Sequence, residues 1–349
     1  GLHLARIEGG NDSRQPVLVT KLAPLPSDPG VCVRAAPPLK TPWRVLMIGD
    51  RPGALIESTL LWDLADPSRI QDTSWIRPGK VAWDWWNGPH IPDADFEVGM
   101  NDPTFRHFID FAADFGLEYV LIDAGWYGSH RDYNADITTS APGIDIPGLV
   151  AYGVERNVGI LLWLNWQNLR NRMDEAFPLY EEWGVKGVKV DYMNRKDQEI
   201  VAFYHNVLRV AAKHQLVVDF HGAYAGSGEE RTWPNLLTRE GVMGLEYVKW
   251  SDRVTPRHNV TLPFTRMLLG SMDYTPGGFR NVTSEAFEPR REAPLVLGTR
   301  AHHLAMYVVY ESALQMLVDY PAAYRGQPGA QFLKVVPASW DETRVLDGE

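Results

Sequence analysis

Short apolar runs alternate with longer helical patterns along most of the chain, beginning near residue 80. Each run stays apolar over successive residues, which is typical of strands buried on both faces of a parallel sheet. Seven such strands are predicted, at "KVAWDWW", "EYVLIDAGW", "GILLWLNW", "GVKVDY", "LVVDFHGAY", "GVMGLEY" and "RMLLGSMDY". Helices are predicted at "GIDIPGLVAYGVERN", "RNRMDEAFPLYEEWG", "DQEIVAFYHNVLRVAAKH" and "AHHLAMYVVYESALQMLVDY".

Repeated strand and helix units of this number indicate an α/β fold, either a closed (β/α)8 TIM barrel or an open doubly wound sheet. The barrel is favoured, because the glycine-rich fingerprint of a dinucleotide-binding sheet does not follow the first strand. The eighth unit is not evident, since the sequence is irregular after the last predicted helix until "FLKVVPASWDETRVLDGE". A further strand region is expected to begin there.

Residues 1–75 have a different pattern from the rest of the chain. Short apolar runs such as "PVLVTKL" and "WRVLMIGD" are separated by Pro, Gly and Asp clusters, which predicts strands and turns without intervening helices. We therefore expect a β-rich segment before the barrel.

The composition is that of a globular protein and excludes several functions. Of the 349 residues, 45% are hydrophobic and 22% charged, and no apolar stretch is long enough to span a membrane. The net charge of −10 argues against nucleic acid, which requires a basic surface. The single Cys32 excludes an internal disulfide and a thiolate metal cluster. No signal peptide is visible, and the compartment stays open.

Polar or aromatic side chains follow almost every predicted strand, where a barrel of this kind has its chemistry. They are Asp84, Trp85, Trp86, Asp123, Trp126, Asn165, Gln167, Lys189, Asp191, His221, Glu246 and Asp273. A single one of them is more simply explained as a helix N-cap, but Lys189, His221 and Glu246 are poor caps. Carboxylates with tryptophans around one barrel mouth are what hydrolysis of a glycosidic bond requires. Each Trp could equally fill the core.

Two carboxylates are candidate catalytic groups. Lys189 lies two residues before Asp191 and so points to the same side of the strand, where its charge would keep Asp191 ionised as a nucleophile; a buried ion pair is the alternative. Glu246 follows an apolar run, so we expect burial to raise its pKa, as a general acid needs. Glu240 could turn in from the preceding loop, and two glutamates with an amide oxygen suit calcium.

The ordered motifs "DTSWIRPGKVAWDWWNG", "YVLIDAGWYG", "GVKVDYMNR", "FHGAY", "RTWPNLLTREGVMGLEY" and "LPFTRMLLGSMDYTPGGF" resemble glycoside hydrolase family 97. The family contains bacterial α-glucosidases and α-galactosidases with an N-terminal β-sandwich, a (β/α)8 barrel and a small C-terminal β-domain. The resemblance covers the chain from about residue 42 to its end. It implies the remnant of a sandwich at 1–75, the catalytic barrel at 76–335 and the truncated start of the C-terminal β-domain at 336–349.

The resemblance also implies roles for individual residues. Asp191 matches the nucleophile of the family's retaining branch, whereas the inverting branch lacks this Asp and carries a Glu in a His-Glu-Ala stretch. Here that stretch reads His221, Gly222, Ala223, and both differences indicate retention. The family's acid/base matches Glu246. Its calcium ligands match Glu240 and Glu246, with an oxygen from Asn168 and a further ligand upstream of residue 1.

The resulting hypothesis is a calcium-assisted, retaining, exo-acting α-galactosidase. Trp85, Trp86 and Trp126 would be ring platforms, and Asp84, Asp123, Lys189 and His221 would contact substrate. An α-glucosidase of the same family and a sugar-binding fragment of weak activity remain open, as does a lyase or isomerase of the enolase type, which the Trp-rich first strand fits poorly. The partner is an oligosaccharide or glycoside, and family analogy suggests a periplasmic or secreted protein. The oligomeric state is not predicted.

Overall fold

The computed structural model describes residues 3–6 and 18–348. Its strands are β1 (His3–Arg6), β2 (Leu18–Lys21), β3 (Gly79–Trp83), β4 (Tyr119–Ile122), β5 (Gly159–Asn165), β6 (Gly187–Asp191), β7 (Val217–Phe220), β8 (Leu236–Arg239), β9 (Asn281–Val282), β10 (Val296–Leu297) and β11 (Leu314–Leu317). Its α-helices are α1 (Pro52–Ile56), α2 (Leu60–Asp63), α3 (Asp102–Phe115), α4 (Ile146–Val154), α5 (Trp166–Trp183), α6 (Gln198–Lys213), α7 (Glu229–Thr232), α8 (Pro256–Thr261), α9 (Arg300–Val309), α10 (Pro321–Tyr324) and α11 (Ala330–Val335).

Seven parallel strands form a nearly closed barrel in the order β11-β3-β4-β5-β6-β7-β8. Their residues are buried almost without exception, as the continuously apolar runs predict. The helices that follow the strands cover the outside of the sheet and bury their apolar sides against it. The predicted α/β barrel is therefore confirmed.

The barrel has a seam between β8 and β11, where no eighth strand forms among the described residues. An extended segment, residues 271–274, lies in this gap. The Asp273 N–H donates to the Arg239 carbonyl, 3.0 Å away, and the Met272 N–H donates to the Glu311 carbonyl at the same distance. The segment thus fills the eighth position without a regular ladder, which explains why no eighth unit was evident in the sequence.

Two of the seven strand predictions are wrong. "GVMGLEY" contains a 3-10 helix over Leu245–Lys249, and the first half of "RMLLGSMDY" contains another over Arg266–Leu269. The strands that were missed are β8 and β11. The long helix predicted at "AHHLAMYVVYESALQMLVDY" ends at Val309, and its second half is β11.

The segment before the barrel also differs from its prediction. It contains the short helices α1 and α2, and "WRVLMIGD" forms no strand. The run "PVLVTKL" is confirmed where it is described, as β2, while its first two residues lie outside the described part of the chain. Residues 336–348 contain no strand, so the C-terminal β-domain and the predicted segment boundaries stay predictions.

None of the helices within residues 3–6 and 18–348 combines the length and apolar character that a membrane crossing needs.

Candidate active site

The Asp191 carboxylate is held at the carboxyl end of β6 by two donors. Its Oδ2 accepts a hydrogen bond from the Trp163 indole Nε1 at 3.0 Å, and its Oδ1 accepts one from the backbone N–H of Tyr192. Trp163 lies on the neighbouring β5, in register with Lys189. Asp191 is therefore fixed in direction and only partly buried at the barrel mouth.

His221 lies between three carboxylates next to Asp191. Its Nε2 is 2.8 Å from Glu246 Oε1 and 3.5 Å from Glu240 Oε1, and its Nδ1 is 2.9 Å from Asp273 Oδ2. Burial and the Lys189 charge lower the pKa of His221, but Glu246, Glu240 and Asp191 outweigh them and hold it well above the usual value. His221 is therefore an imidazolium, and each of its ring nitrogens donates a hydrogen bond to a carboxylate.

The pKa of Glu246 contradicts the prediction made from its apolar surroundings. Burial does raise this pKa, but the charge and hydrogen bond of His221, with a contribution from Lys189, lower it further, and the net shift is downward. Glu240 shows the opposite outcome, because burial and the charges of Glu246 and Asp191 raise its pKa to about 7 despite His221. Near neutral pH the proton of the pair is therefore on Glu240.

Lys189 does not pair with Asp191. Its ammonium lies 2.8 Å from Asp273 Oδ2 and 3.4 Å from Asp219 Oδ2, and all three side chains are buried. Burial raises the pKa of the Asp273 carboxyl, but Lys189 and His221 hold it well below its usual value, whereas burial and the charge of Asp273 hold that of Asp219 well above. The Lys189 ammonium thus neutralises the buried Asp273 carboxylate. The buried ion pair that was the alternative for Lys189 exists, but with Asp273 in place of Asp191.

Two carboxylate groups bear on metal binding. Asp219, His221 and Asp273 offer ligand atoms within 4.8 Å of one another, but the Lys189 ammonium already lies among them. Glu240 and Glu246 fit a hard cation better, since both carboxylates approach the same nitrogen of His221.

Asn168, the third predicted metal ligand, uses its amide nitrogen within the fold. Its Nδ2 donates to the carbonyls of Asp132 and Ala135, at 2.9 and 3.1 Å, and so ties the loop after β4 to α5. Its Oδ1 is buried and has no hydrogen-bond partner in the described chain. The amide nitrogen thus has a structural role, and the assignment of Asn168 Oδ1 as a metal ligand stays a prediction.

Two further predicted site carboxylates, Asp84 and Asp123, lie next to each other beside Trp83. Asp84 Oδ1 accepts from the Asp123 N–H at 3.2 Å, and Asp123 Oδ2 accepts from Trp83 Nε1 at 2.6 Å. Burial and the neighbouring Asp123 raise the pKa of Asp84 to about 8. Burial also raises the pKa of Asp123, to about 6, against the Lys189 charge. A neutral Asp84 can donate a hydrogen bond to a hydroxyl.

The predicted tryptophans differ in what they expose. Trp85 is half-buried and stacks on Trp83, with ring centroids 5.5 Å apart at 17°. A lysine ammonium lies over each ring: Lys249 is 4.3 Å from the Trp85 centroid, and Lys189 is 4.5 Å from the Trp83 centroid.

Trp86 and Trp126 are fully buried in the core, and their indoles donate to the carbonyls of Leu245 and Trp163. Neither presents a free face to a sugar, so a role as ring platforms does not fit their placement.

Sequence reasoning missed two residues that shape the site. Asp219 lies in β7, two positions before His221, which directly follows the strand; alternation predicts both side chains on one face, and this signal was available in the sequence. Trp163 lies inside an apolar run, and nothing in its sequence distinguishes it from a core residue.

Known proteins match most of this chain in sequence and in structure. The family model described as Glycoside hydrolase 97 matches residues 83–242, and that described as Glycosyl-hydrolase 97 N-terminal matches residues 3–67. A retaining alpha-galactosidase of Bacteroides thetaiotaomicron is 42% identical over 317 residues, which are 89% of this chain and 47% of that protein. A probable retaining alpha-galactosidase of Streptomyces bingchenggensis is 40% identical over 314 residues, 89% of this chain and 46% of that protein.

A solved structure agrees with these matches. A glycoside hydrolase family 97 enzyme from Pseudoalteromonas sp. strain K8, in complex with acarbose, superposes with a TM-score of 0.76 at 31% identity. The match covers 86% of this chain and 50% of that one. The chain thus spans about half the length of the relatives that it matches.

Proposed function

This chain belongs to glycoside hydrolase family 97, and from this premise we propose that it is a retaining α-glycoside hydrolase acting on α-galactosides. The observation that carries the proposal is Asp191, an oriented carboxylate with no cation partner among the described residues, beside the Glu240–His221–Glu246 group. The charge of Asp191 helps to raise the pKa of both His221 and Glu240, which supports their sharing one site. The two curated relatives carry the names of retaining α-galactosidases.

In the proposed first step, Asp191 attacks the anomeric carbon and forms a glycosyl ester while the glycosidic C–O bond breaks. Glu246 gives the leaving oxygen a proton. The group can supply it, because His221 is charged, Glu240 is about half protonated near pH 7, and His221 Nε2 lies between the two glutamates. The three residues titrate as one unit, and the proton is not the property of Glu246 alone.

In the proposed second step, water attacks the anomeric carbon and transfers a proton to Glu246. The ester bond to Asp191 breaks, and the two inversions together retain the α-configuration. Lys189, Asp219 and Asp273 take no direct part. They hold the imidazolium of His221 in place from the interior side.

Calcium is part of the proposal, with Glu240 and Glu246 as its ligands in this chain. When bound there, a divalent cation would orient sugar hydroxyls and add positive charge beside the two carboxylates. Asn168 stays a proposed ligand through Oδ1, which has no donor among the described residues, while its Nδ2 is engaged with the loop after β4.

Hydrolysis of p-nitrophenyl α-galactoside and α-glucoside, with and without a calcium chelator, tests activity and sugar preference together. Galactose and glucose differ at one hydroxyl, so preference rests on one or two hydrogen bonds. The nucleophile is tested by Asp191→Gly with added azide, which we expect to give β-galactosyl azide while azide leaves the wild-type rate unchanged. A folded Asp191→Gly variant that azide does not rescue contradicts the assignment of Asp191.

A further inference from the structure

Tyr192 and His130 form a ring pair at the barrel mouth, directly beside Asp191. Their ring centroids are 5.9 Å apart with an interplanar angle of 18°, so the rings stack in parallel. Tyr192 remains 43% exposed and His130 is partly exposed, whereas Trp163 beneath them is buried. Nothing in the two proposed steps uses this pair.

The backbone of Tyr192 ties the ring pair to the nucleophile. Tyr192 has φ +61°, in the left-handed region that bulky residues seldom adopt. This conformation turns its N–H onto Asp191 Oδ1. Strained backbone of this kind persists at sites where the surrounding structure fixes a functional geometry. The direction of the Tyr192 side chain is thereby set by the same turn that orients Asp191.

The loop that carries His130 is fastened equally firmly. Asn165, the last residue of β5, donates from Nδ2 to the His130 carbonyl at 3.0 Å, and its own N–H donates to the Tyr127 hydroxyl at 3.1 Å. Asn168 holds the next part of the loop through the carbonyls of Asp132 and Ala135. A ring carried by a loop whose backbone is held by hydrogen bonds loses less entropy when a ligand stacks on it.

Trp163 lies beneath the pair as its floor. Its ring meets His130 at 6.0 Å and 83°, and Tyr192 at 5.9 Å and 86°. The same indole donates to Asp191, so the ring pair stands one layer farther toward solvent than the nucleophile. Buried tryptophans close the interior, and a glycoside whose terminal sugar lies at Asp191 must therefore extend its leaving group toward the solvent-exposed rim.

We propose that the Tyr192–His130 ring pair binds the leaving group, a second hexose, by stacking against the apolar face of its ring. This inference rests on the proposed function, because it assumes that Asp191 attacks a glycoside. Aromatic faces bind the apolar faces of sugar rings without demanding one pattern of hydroxyls. The pair therefore favours disaccharide or oligosaccharide substrates over glycosides with small leaving groups.

The experiment compares two substrates with the same terminal sugar. One is 6-O-α-galactosyl-glucose, whose leaving group is a hexose, and the other is α-galactosyl fluoride, whose leaving group is a single ion. For Tyr192→Ala and for His130→Ala we expect the ratio of kcat/KM on the disaccharide to kcat/KM on the fluoride to fall by about tenfold. Tyr192→Phe, which keeps the ring and loses only the hydroxyl, should keep the ratio within about twofold.

The outcomes separate this inference from the proposed function. Equal losses on both substrates would show that the rings act on Asp191 or on folding, and would overturn the inference alone. An unchanged ratio in both alanine variants would also overturn it. A wild-type protein that cleaves neither substrate contradicts the proposed function and the inference with it. His130→Ala keeps the test decisive if Tyr192→Ala disturbs the turn, because His130 lies outside that turn, in the loop after β4.

Discussion

The Asp191 carboxylate packs so closely against Gly222 that little room is left for a side chain at position 222. Gly222 has φ +57°, and a β-carbon built on it would lie 3.0 Å from Asp191 Oδ1 and equally close to the backbone N and Cα of Tyr192. Such a contact is tighter than ordinary van der Waals distance, and two of the opposing atoms are backbone. A side chain at position 222 and the observed position of Asp191 are therefore hard to accommodate together.

The first prediction concerns this contact. Gly222→Ala should lower kcat by at least about tenfold, because Asp191 must shift from its two donors by a few tenths of an ångström. Gly116→Ala is the matched control: Gly116 also has a left-handed φ, of +66°, but a β-carbon there meets nothing within 4 Å. Both variants should lose about 1 kcal/mol of stability from backbone strain, and only the first should lose activity.

In an Asp191→Gly background, Gly222→Ala should cost nothing further in azide-rescued turnover. A loss of equal size in both backgrounds would show that Gly222 acts independently of Asp191.

The second prediction separates the two proposals for Asn168. If Asn168 fastens the loop after β4, Asn168→Ala should leave the calcium-induced rise in Tm unchanged and should lower the disaccharide-to-fluoride ratio as His130→Ala does. Glu240→Gln is the comparison, and it should reduce the calcium-induced rise. If Asn168→Ala reduced the calcium-induced rise in Tm as much as Glu240→Gln does, Asn168 would be a calcium ligand.

The third prediction concerns Arg266, which closes the barrel seam. Its guanidinium donates to the backbone carbonyls of Arg239, Glu240, Gly241, Gly270 and Ser271, at 2.6 to 3.2 Å. Arg266→Lys keeps the charge but cannot reach five carbonyls, so we expect a loss of about 3 kcal/mol in urea unfolding. Arg209→Lys, at an exposed arginine of α6, should change stability by less than about 0.5 kcal/mol. Equal effects of the two substitutions would refute the role of Arg266.

The fourth prediction is a pH dependence of stability. Burial and the charge of Glu229 raise the pKa of Glu230 to about 7, and its Oε2 is enclosed without a hydrogen-bond partner in the described structure. The folded state therefore binds more protons than the unfolded state between about pH 4.5 and 7, and stability falls as the pH rises through this window. Across this window the ionisation of Glu230 lowers the free energy of unfolding by about 3 kcal/mol.

Urea unfolding at pH 5 and pH 8 measures this difference. Glu230→Gln, which keeps the shape and removes the titration, should reduce the difference by about that amount. An unaltered pH dependence in the variant would mean that Glu230 is ionised at little cost in the folded protein.

The strands of the barrel were predictable where they are apolar throughout. β5 is a buried run of apolar residues before its final Asn165, and its length of seven residues is shorter than that of most helices. β8 was missed because "LLTR" is only four residues long and ends in a charge. "GVMGLEY" failed as a strand because Gly241, at φ +57°, turns the chain out of the sheet before the apolar residues begin.

The site was predictable in membership but not in pairing. Lys189 and Asp191 both lie on β6, as predicted. The partners of Lys189 are nevertheless Asp219 of β7 and Asp273 of the segment that fills the barrel seam. A pKa depends on such partners as much as on burial. The sequence shows that Glu246 follows apolar residues, but not that His221 lies 2.8 Å from it and reverses the shift.

The covalent route through Asp191 is tested most directly by the anomeric form of the sugar first released, followed by proton NMR during hydrolysis of an α-galactoside. We expect the α-anomer to appear first and the β-anomer to grow only at the rate of spontaneous mutarotation. A β-anomer that appears first would mean a single displacement by water, and Asp191 would not be the nucleophile.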